Sequence, residues 1–528
     1  MSKFNKTRTK TAALSPIVTG RVPSGRTHEG APGYARTAQS ELFLLAVSNL
    51  AGEDTFYENA TSRDQRYTQL VHEVAVADPQ WTAAFLCWLR SEANMRSASV
   101  AGALEAAMAM LVADISGSRQ LVASVLQRAD EPGEALAYWT SHYGRAVPKP
   151  VKRGIADAVG RLYTEYSLLK YDGAAKGFRF ADVIDLVHPV PVAPWQSDLF
   201  KVALERRHRR ETLSIDALPM LSANASLRAA AARNVSVLAD TERLKAAGMT
   251  WEDVLSLAGS LTDKKADKKR LWHALIPTMG YMACLRNIRN FDEAGVSDKA
   301  AAAVAARLSD PDAVRKSRQF PFRFLAAYEQ APSLRWGHAL DKALHLSLAN
   351  LPALPGRTLI LVDTSASMTQ GTFSARSKMT PAKAAAVFGV ALAAKGERVD
   401  LHGFADGVFR HEVPKGASVL KEIDRFVSRT GEVGHGTQIA ASVRATYDGH
   451  DRVVIISDMQ TMNGSFGRGV SEAVPAYVPI YGFNLGGYQF AAYATGSSNR
   501  HEFGGLTDAT FRMIPLLEAG RNARWPWM

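Results

Sequence analysis

The sequence predicts an all-helical repeat array followed by a doubly wound, mostly parallel α/β domain. Three observations predict it. From about residue 37 to residue 349, apolar positions recur three and four apart, as in 39–50, 66–77 and 81–91, the period of one buried helix face. A Pro/Gly-punctuated stretch, 351–356, then ends that texture. Beyond it, short continuous apolar runs at 358–362, 452–457 and 478–483 alternate with helical segments at 382–394, 417–427 and 439–447. That is the pattern of parallel strands buried on both faces.

The helical part is broken at Asp78-Pro79, Glu131-Pro132-Gly133 and Asp310-Pro311. Two stretches in it, 180–186 and 250–257, are loosely alike, and each opens a helix. Such degenerate units stack into an α-solenoid of the HEAT-like kind. Residues 1–28, with little apolar periodicity, read as a flexible basic arm. The expected organisation is this arm, a helical-repeat module over 29–350 and an α/β domain over 356–528.

Of the 528 residues, 47% are hydrophobic and 22% charged, a globular composition with ample apolar surface for real cores. The longest uncharged apolar run, 384–394, is far short of the ~20 residues of a spanning helix. With no secretory signal at the N-terminus, a cytoplasmic protein without membrane contact is expected. Cys87 and Cys284 read as two buried, reduced thiols, and their spacing fits neither a disulfide framework nor a zinc site. Trp81, Trp88 and Trp272 read as core. The net charge is +12, and 6 of the first 30 residues are basic against 1 acidic, so a polyanion site in the folded part must come from local clustering. Four clusters stand out: Lys149/Lys152/Arg153, Arg206/Arg207/Arg209/Arg210, Lys264/Lys265/Lys268/Lys269/Arg270 and Arg315/Lys316/Arg318/Arg323.

The sharpest chemical signal follows the first α/β strand: Asp363-Thr364-Ser365-Ala366-Ser367. A turn at a strand end brings one carboxylate and two hydroxyls to one point. These are hard oxygen donors suited to a divalent cation, Mg²⁺ first, which takes few carboxylates and retains water. Gly434-His435-Gly436-Thr437 opens a helix and adds the Thr437 hydroxyl. Asp458 ends the strand at 452–457 on the same sheet edge. The set Asp363, Ser365, Ser367, Thr437 and Asp458 resembles the metal-ion-dependent adhesion site of von Willebrand A domains. No His or Glu stands beside Asp363 as an evident base, so the expectation is a binding protein and not an enzyme.

Several stretches of the helical part resemble the TROVE module of the Ro ribonucleoprotein family: Asn49-Leu50, Asp54-Thr55-Phe56-Tyr57, Gly144-Arg145-Ala146-Val147, the run 182–191 ending in His188-Pro189, Leu285-Arg286-Asn287-Ile288, and Phe320-Pro321-Phe322. Their order, with Asp363-Thr364-Ser365-Ala366-Ser367-Met368 following, covers nearly all of the chain after residue 28. The resemblance implies a ring of HEAT-like helices closed by the von Willebrand A-like domain. It implies a monomer that binds single-stranded 3′ ends of misfolded non-coding RNAs in a central basic hole. It also implies Y-like RNAs on the outer surface, and an exoribonuclease such as polynucleotide phosphorylase tethered through them. It places His188 in the Y RNA surface, where Tyr171 and Ala175 depart from the family's basic residues and Lys170 and Lys176 stand nearby as substitutes. It places Arg286 and Asn287 beside the hole. Arg145, Lys149 and Lys152 complete the expected RNA contacts. A second reading is a metal-dependent protein-assembly adaptor, with the Asp363 site taking an acidic group from a partner and the helices serving as scaffold.

Overall fold

The computed structural model describes residues 12–48, 50–208, 214–261, 267–331, 333–375, 377–463 and 469–528. From Ala38 to Ser347 the chain is a succession of helices that pack on neighbours one and two places along the sequence, the solenoid mode. Ala60–Ala77 lies on Arg96–Val112, and Ser118–Val125 on Lys149–Leu162. The breaks anticipated from sequence cap helices. Asp78 accepts from Trp81 N and Asp310 from Ala313 N, each with Pro in the first turn, where its missing N–H costs nothing.

The array closes on itself. Asn94 Nδ2 donates to Arg318 O across the array at 3.0 Å. At the same end Trp81, Phe85 and Trp88 pack edge-on or tilted against Trp525 and Trp527 of the C-terminal segment, with centroids 5.3–5.4 Å apart in four of these pairs. Trp81, Trp88 and Trp272 are buried, as expected. Cys284 is buried too, but Cys87 is exposed. No helix among the described residues is long and apolar enough to cross a membrane.

The α/β domain is a six-stranded sheet. Its strands are β3 (Arg357–Asp363), β4 (Arg398–Phe404), β5 (Val408–His411), β6 (Arg452–Ser457), β7 (Ile480–Asn484) and β9 (Arg500–Gly504), in spatial order β5-β4-β3-β6-β7-β9. Only β5 is antiparallel to its neighbour. Chain order runs outward from β3 in both directions, so the crevice lies between the carboxyl ends of β3 and β6. β3 and β6 are apolar through their middles, Leu359 to Val362 and Val453 to Ile456, and almost wholly buried, as a central parallel strand requires.

Residues 12–28 are not a free arm. They cross the α/β domain as a strap, in which Ile17 is fully buried and Ser15 N donates to Gly496 O at 3.1 Å. Ala523 N donates to Leu14 O at 2.8 Å. Two short strands, β1 (Gly25–Arg26) and β2 (Pro32–Ala35), follow, and β2 pairs with β8 (Phe490–Ala491). Backbone and side-chain hydrogen bonds to the far end of the chain order a segment whose composition lacks apolar periodicity. The first eleven residues of the expected arm lie outside the described residues, as do Asn49, Arg209, Arg210, Lys264 and Lys265.

Candidate metal centre and nucleic-acid interface

The five oxygen-bearing residues meet at the crevice. Asp363, Ser365, Ser367, Thr437 and Asp458 are all buried there. β3 ends at Asp363, whose Oδ1 accepts from Ser365 N at 2.8 Å and whose Oδ2 accepts from Ser457 Oγ at 2.5 Å. Ser365 then starts the short helix Ala366–Thr369, which leaves its hydroxyl 3.3 Å from that of Ser367. On the next strand Asp458 Oδ1 accepts from Gln460 N at 3.0 Å, while its Oδ2 is buried without a partner. A cavity of about 20 Å³ beside Ser367 and Asp458 is enough for a water-sized guest.

Burial raises the affinity of both carboxyls for protons, and the charge of Asp363 pushes Asp458 further the same way. Two buried carboxylates side by side, one oxygen unpaired, with hydroxyls for neighbours, is an arrangement that a hard divalent cation would neutralise. The donor set therefore fits the ion.

One residue that sequence reading passed over holds Thr437 in place. Asp406 Oδ2 accepts from His435 N at 2.9 Å and Gly436 N at 3.0 Å, fixing the loop before Thr437. Those backbone donors hold its carboxyl below the usual range. Gly434 sits at φ +92°, and a Cβ there would stand 2.2 Å from Asp406 Oδ2. The Gly-x-Gly spacing was the signal for this loop, but the acidic partner 28 residues upstream carried none.

The predicted RNA contacts divide. Lys170 and Arg286 line one cavity of about 660 Å³ in the helical array, together with Arg128, Tyr166, Tyr171 and Trp251. Local sequence builds it. Thr164 and Ser167 form a capping box that starts Glu165–Tyr171, and Thr250 with Asp253 forms another that starts Trp251–Ser260. Tyr166 and Lys170, one helical turn apart, share a face, as do Met282, Ala283 and Arg286 on Tyr281–Glu293. The Lys170 ammonium lies 5.5 Å from the Tyr166 ring centre and 5.3 Å from that of Tyr171, and the Arg128 guanidinium lies 5.6 Å from Tyr171. Neither Lys170 nor Arg286 has an ion-pair partner among the described residues. Arg323 is half-buried, and desolvation, aided by the neighbouring Arg286 charge, pushes its pKa down. Two guanidiniums near each other without a carboxylate between them form a site for an anion.

Asn287 must be removed from the set. It is 1% exposed, donates to Ala283 O at 2.8 Å and accepts from Asn290 Nδ2 at 2.7 Å, so its amide is spent inside its own helix. The alternation of inward and outward faces places Arg286 outside and Asn287 inside. His188 ends the helix Phe180–Val187 at φ +49°, its N–H bonded to Ile184 O and its ring exposed. Lys176 is exposed, 3.9 Å from Asp130. Arg145 and Lys149 are exposed and Lys152 half-buried at the start of Lys149–Leu162, and none of the three lines the Lys170–Arg286 cavity. Arg128, Tyr166 and Trp251 were missed, since their convergence depends on how distant helices stack.

Residues 240–335 match the TROVE domain family model. The crystal structure of the Deinococcus radiodurans Ro protein superposes with a TM-score of 0.60, at 18% identity, over 92% of this chain and all of that one. The chain shares the fold of that Ro protein and carries a TROVE-domain match within its helical part. The TROVE match contains Arg286, Trp251 and Lys245 of the cavity wall. Telomerase protein component 1 of Mus musculus is 39% identical over 87 residues, and that of Rattus norvegicus 38% over 87. Either alignment takes in 16% of this chain and only 3% of the telomerase component. With the Ro fold come both parts anticipated from sequence, the helical-repeat ring and the von Willebrand A-like domain.

Proposed function

We propose that the chain is an RNA-binding protein that takes up single-stranded RNA on its helical array. The observation that carries this is the Lys170–Arg286 cavity, where unpaired cations and exposed aromatic edges line one wall inside a TROVE-domain fold. Cations neutralise phosphates, and a splayed base stacks on a tyrosine face regardless of its identity. A stacked duplex offers no free base face to such a cavity, so selection is for unpaired ends. Capture of the 3′ ends of misfolded non-coding RNA, Y-like RNA on the face around His188 and Lys176, and a nuclease tethered through that RNA are the finer parts of the same proposal.

The α/β domain, in this reading, holds a divalent cation, Mg²⁺ by donor chemistry, with Asp363, Ser365, Ser367, Thr437 and Asp458 around it. The cation would neutralise the two buried carboxylates. Support comes from the unpaired Asp458 Oδ2 and the hydroxyls beside it.

The test is fluorescence anisotropy with one RNA hairpin in two forms, blunt and carrying a 3′ single-stranded tail. Binding at micromolar concentration or below is expected for the tailed form only, with log Kd rising linearly in log salt. Equal binding of both forms would refute the reading.

A further inference from the structure

The open face of the cation site is covered by this chain. The end of the strap and the two residues that continue it, 27–30, run along the loop that follows Asp458. Thr27 Oγ1 donates to Thr461 O at 2.7 Å, His28 N donates to Gln460 Oε1 at 2.9 Å, and Gly30 bridges Met462. Those same loop residues touch the site, since Gln460 N bonds Asp458 Oδ1 and Met462 N bonds Thr437 O. The strap is therefore in register with the ligands. Its one acidic residue, Glu29, accepts from the Tyr57 hydroxyl. Tyr57 in turn is held by parallel stacking on His28, with centroids 4.7 Å apart, and edge contact with Tyr488 at 5.4 Å. The Tyr57 hydroxyl also neighbours Ser367, so Glu29 stands one hydroxyl away from a predicted ligand. The Glu29 charge acts on both Asp363 and Asp458. Asp54, Thr55 and Phe56 line the adjoining cavity and close the other side.

We infer that Glu29 is the carboxylate that closes the open coordination position of the cation site, making the site an internal fastener for the N-terminal strap. The adaptor reading leaves that position for a partner's acidic group. In this structure, a partner would first have to displace Glu29 and the 54–57 loop. The inference rests on the reading of Asp363–Asp458 as a divalent-cation site.

The experiment uses the full chain with Mn²⁺ as the spectroscopic probe, titrated by electron paramagnetic resonance. Wild type, Glu29→Gln and Asp458→Asn are compared, and the strap is followed by trypsin cleavage at Arg21 and Arg26. The glutamine keeps an acceptor for Tyr57, so the fold is retained. Glu29→Gln is expected to weaken Mn²⁺ by about tenfold or more, the scale of losing a carboxylate that tunes a site. Mn²⁺ is expected to slow strap cleavage in wild type and not in Glu29→Gln. If wild type binds Mn²⁺, Asp458→Asn does not, and Glu29→Gln matches wild type in affinity and in metal protection of the strap, the role of Glu29 is overturned while the cation site stands. If wild type binds no Mn²⁺, the cation reading itself falls, and this inference falls with it.

Discussion

Arg36 and Glu502 meet in a buried two-pronged ion pair, Nε to Oε2 at 2.9 Å and Nη2 to Oε1 at 2.7 Å. Neither side chain is more than 2% exposed. The remaining guanidinium nitrogen donates to Tyr488 O and Gln489 O, and Asn484 Nδ2 donates to Glu502 Oε1. The pair fixes the segment before the first long helix to the edge strand β9. Removing one partner leaves a buried charge without compensation, so Arg36→Ala is expected to lower stability by about 3–5 kcal/mol in urea denaturation. The double replacement Arg36→Met/Glu502→Leu is expected to cost less than Arg36→Ala alone. A loss below about 1 kcal/mol for Arg36→Ala would show the strap to be only loosely docked.

His501 supplies a pH test of the same docking. It is buried on β9, Nδ1 lies 2.9 Å from Ser15 Oγ, and burial, aided by the Arg500 charge, pushes its pKa down to about 4. Above pH 6.5 the imidazole is neutral in folded and unfolded chains alike and stability does not depend on it. Between 6.5 and about 4 the unfolded chain takes up a proton that the fold refuses, so stability falls as pH falls, by up to about 3 kcal/mol. His501→Gln is expected to flatten that part of the stability–pH curve. An unchanged slope would place the acid sensitivity elsewhere.

Asp406 is expected to matter to the cation site although it is not a ligand. Asp406→Ala frees the His435 and Gly436 amides that hold Thr437, and should weaken Mn²⁺ binding by about 10–100-fold with little change in melting temperature. Gly434→Ala should act in the same direction, because its Cβ would collide with Asp406 Oδ2 and its φ is left-handed. Mn²⁺ affinities equal to wild type in both would separate this loop from the site.

In the helical array, Lys170→Ala and Arg286→Ala are each expected to weaken tailed RNA of any sequence and to reduce the salt slope by about 1. Tyr171→Ala is expected to cost about 1–3 kcal/mol of binding with the slope unchanged, as loss of stacking does. Asn287→Ala is expected to lower stability and leave the slope alone, given its burial.

How far the sequence revealed these features depended on where each residue's partners lie. β6 was read at its true bounds, and β3 within one residue at each end, because apolar strands carry their own signal. β9 was missed. Its residues Arg500, His501 and Glu502 look like a surface loop, yet all are buried, paying for desolvation with bonds to Val478 O, Ser15 and Arg36. The strap failed the same way, since its bonds to the α/β domain reach more than 430 residues downstream. The cluster of Asp363, Ser365, Ser367, Thr437 and Asp458 was legible as a cluster because each residue sits at a strand end or helix start, positions a linear pattern marks. The Lys170–Arg286 cavity was half legible. The cations were visible as residues, but their shared wall arises from the stacking of helices 110 residues apart, which no local period encodes.

The most direct measurement maps where the strand lies. An RNA hairpin with 4-thiouridine in its 3′ tail, cross-linked to the full chain and digested for mass spectrometry, should yield adducts on Tyr166, Tyr171 or Trp251. Those adducts should disappear in Lys170→Ala/Arg286→Ala. Adducts confined to the α/β domain, or to a helix face away from this cavity, would contradict the account.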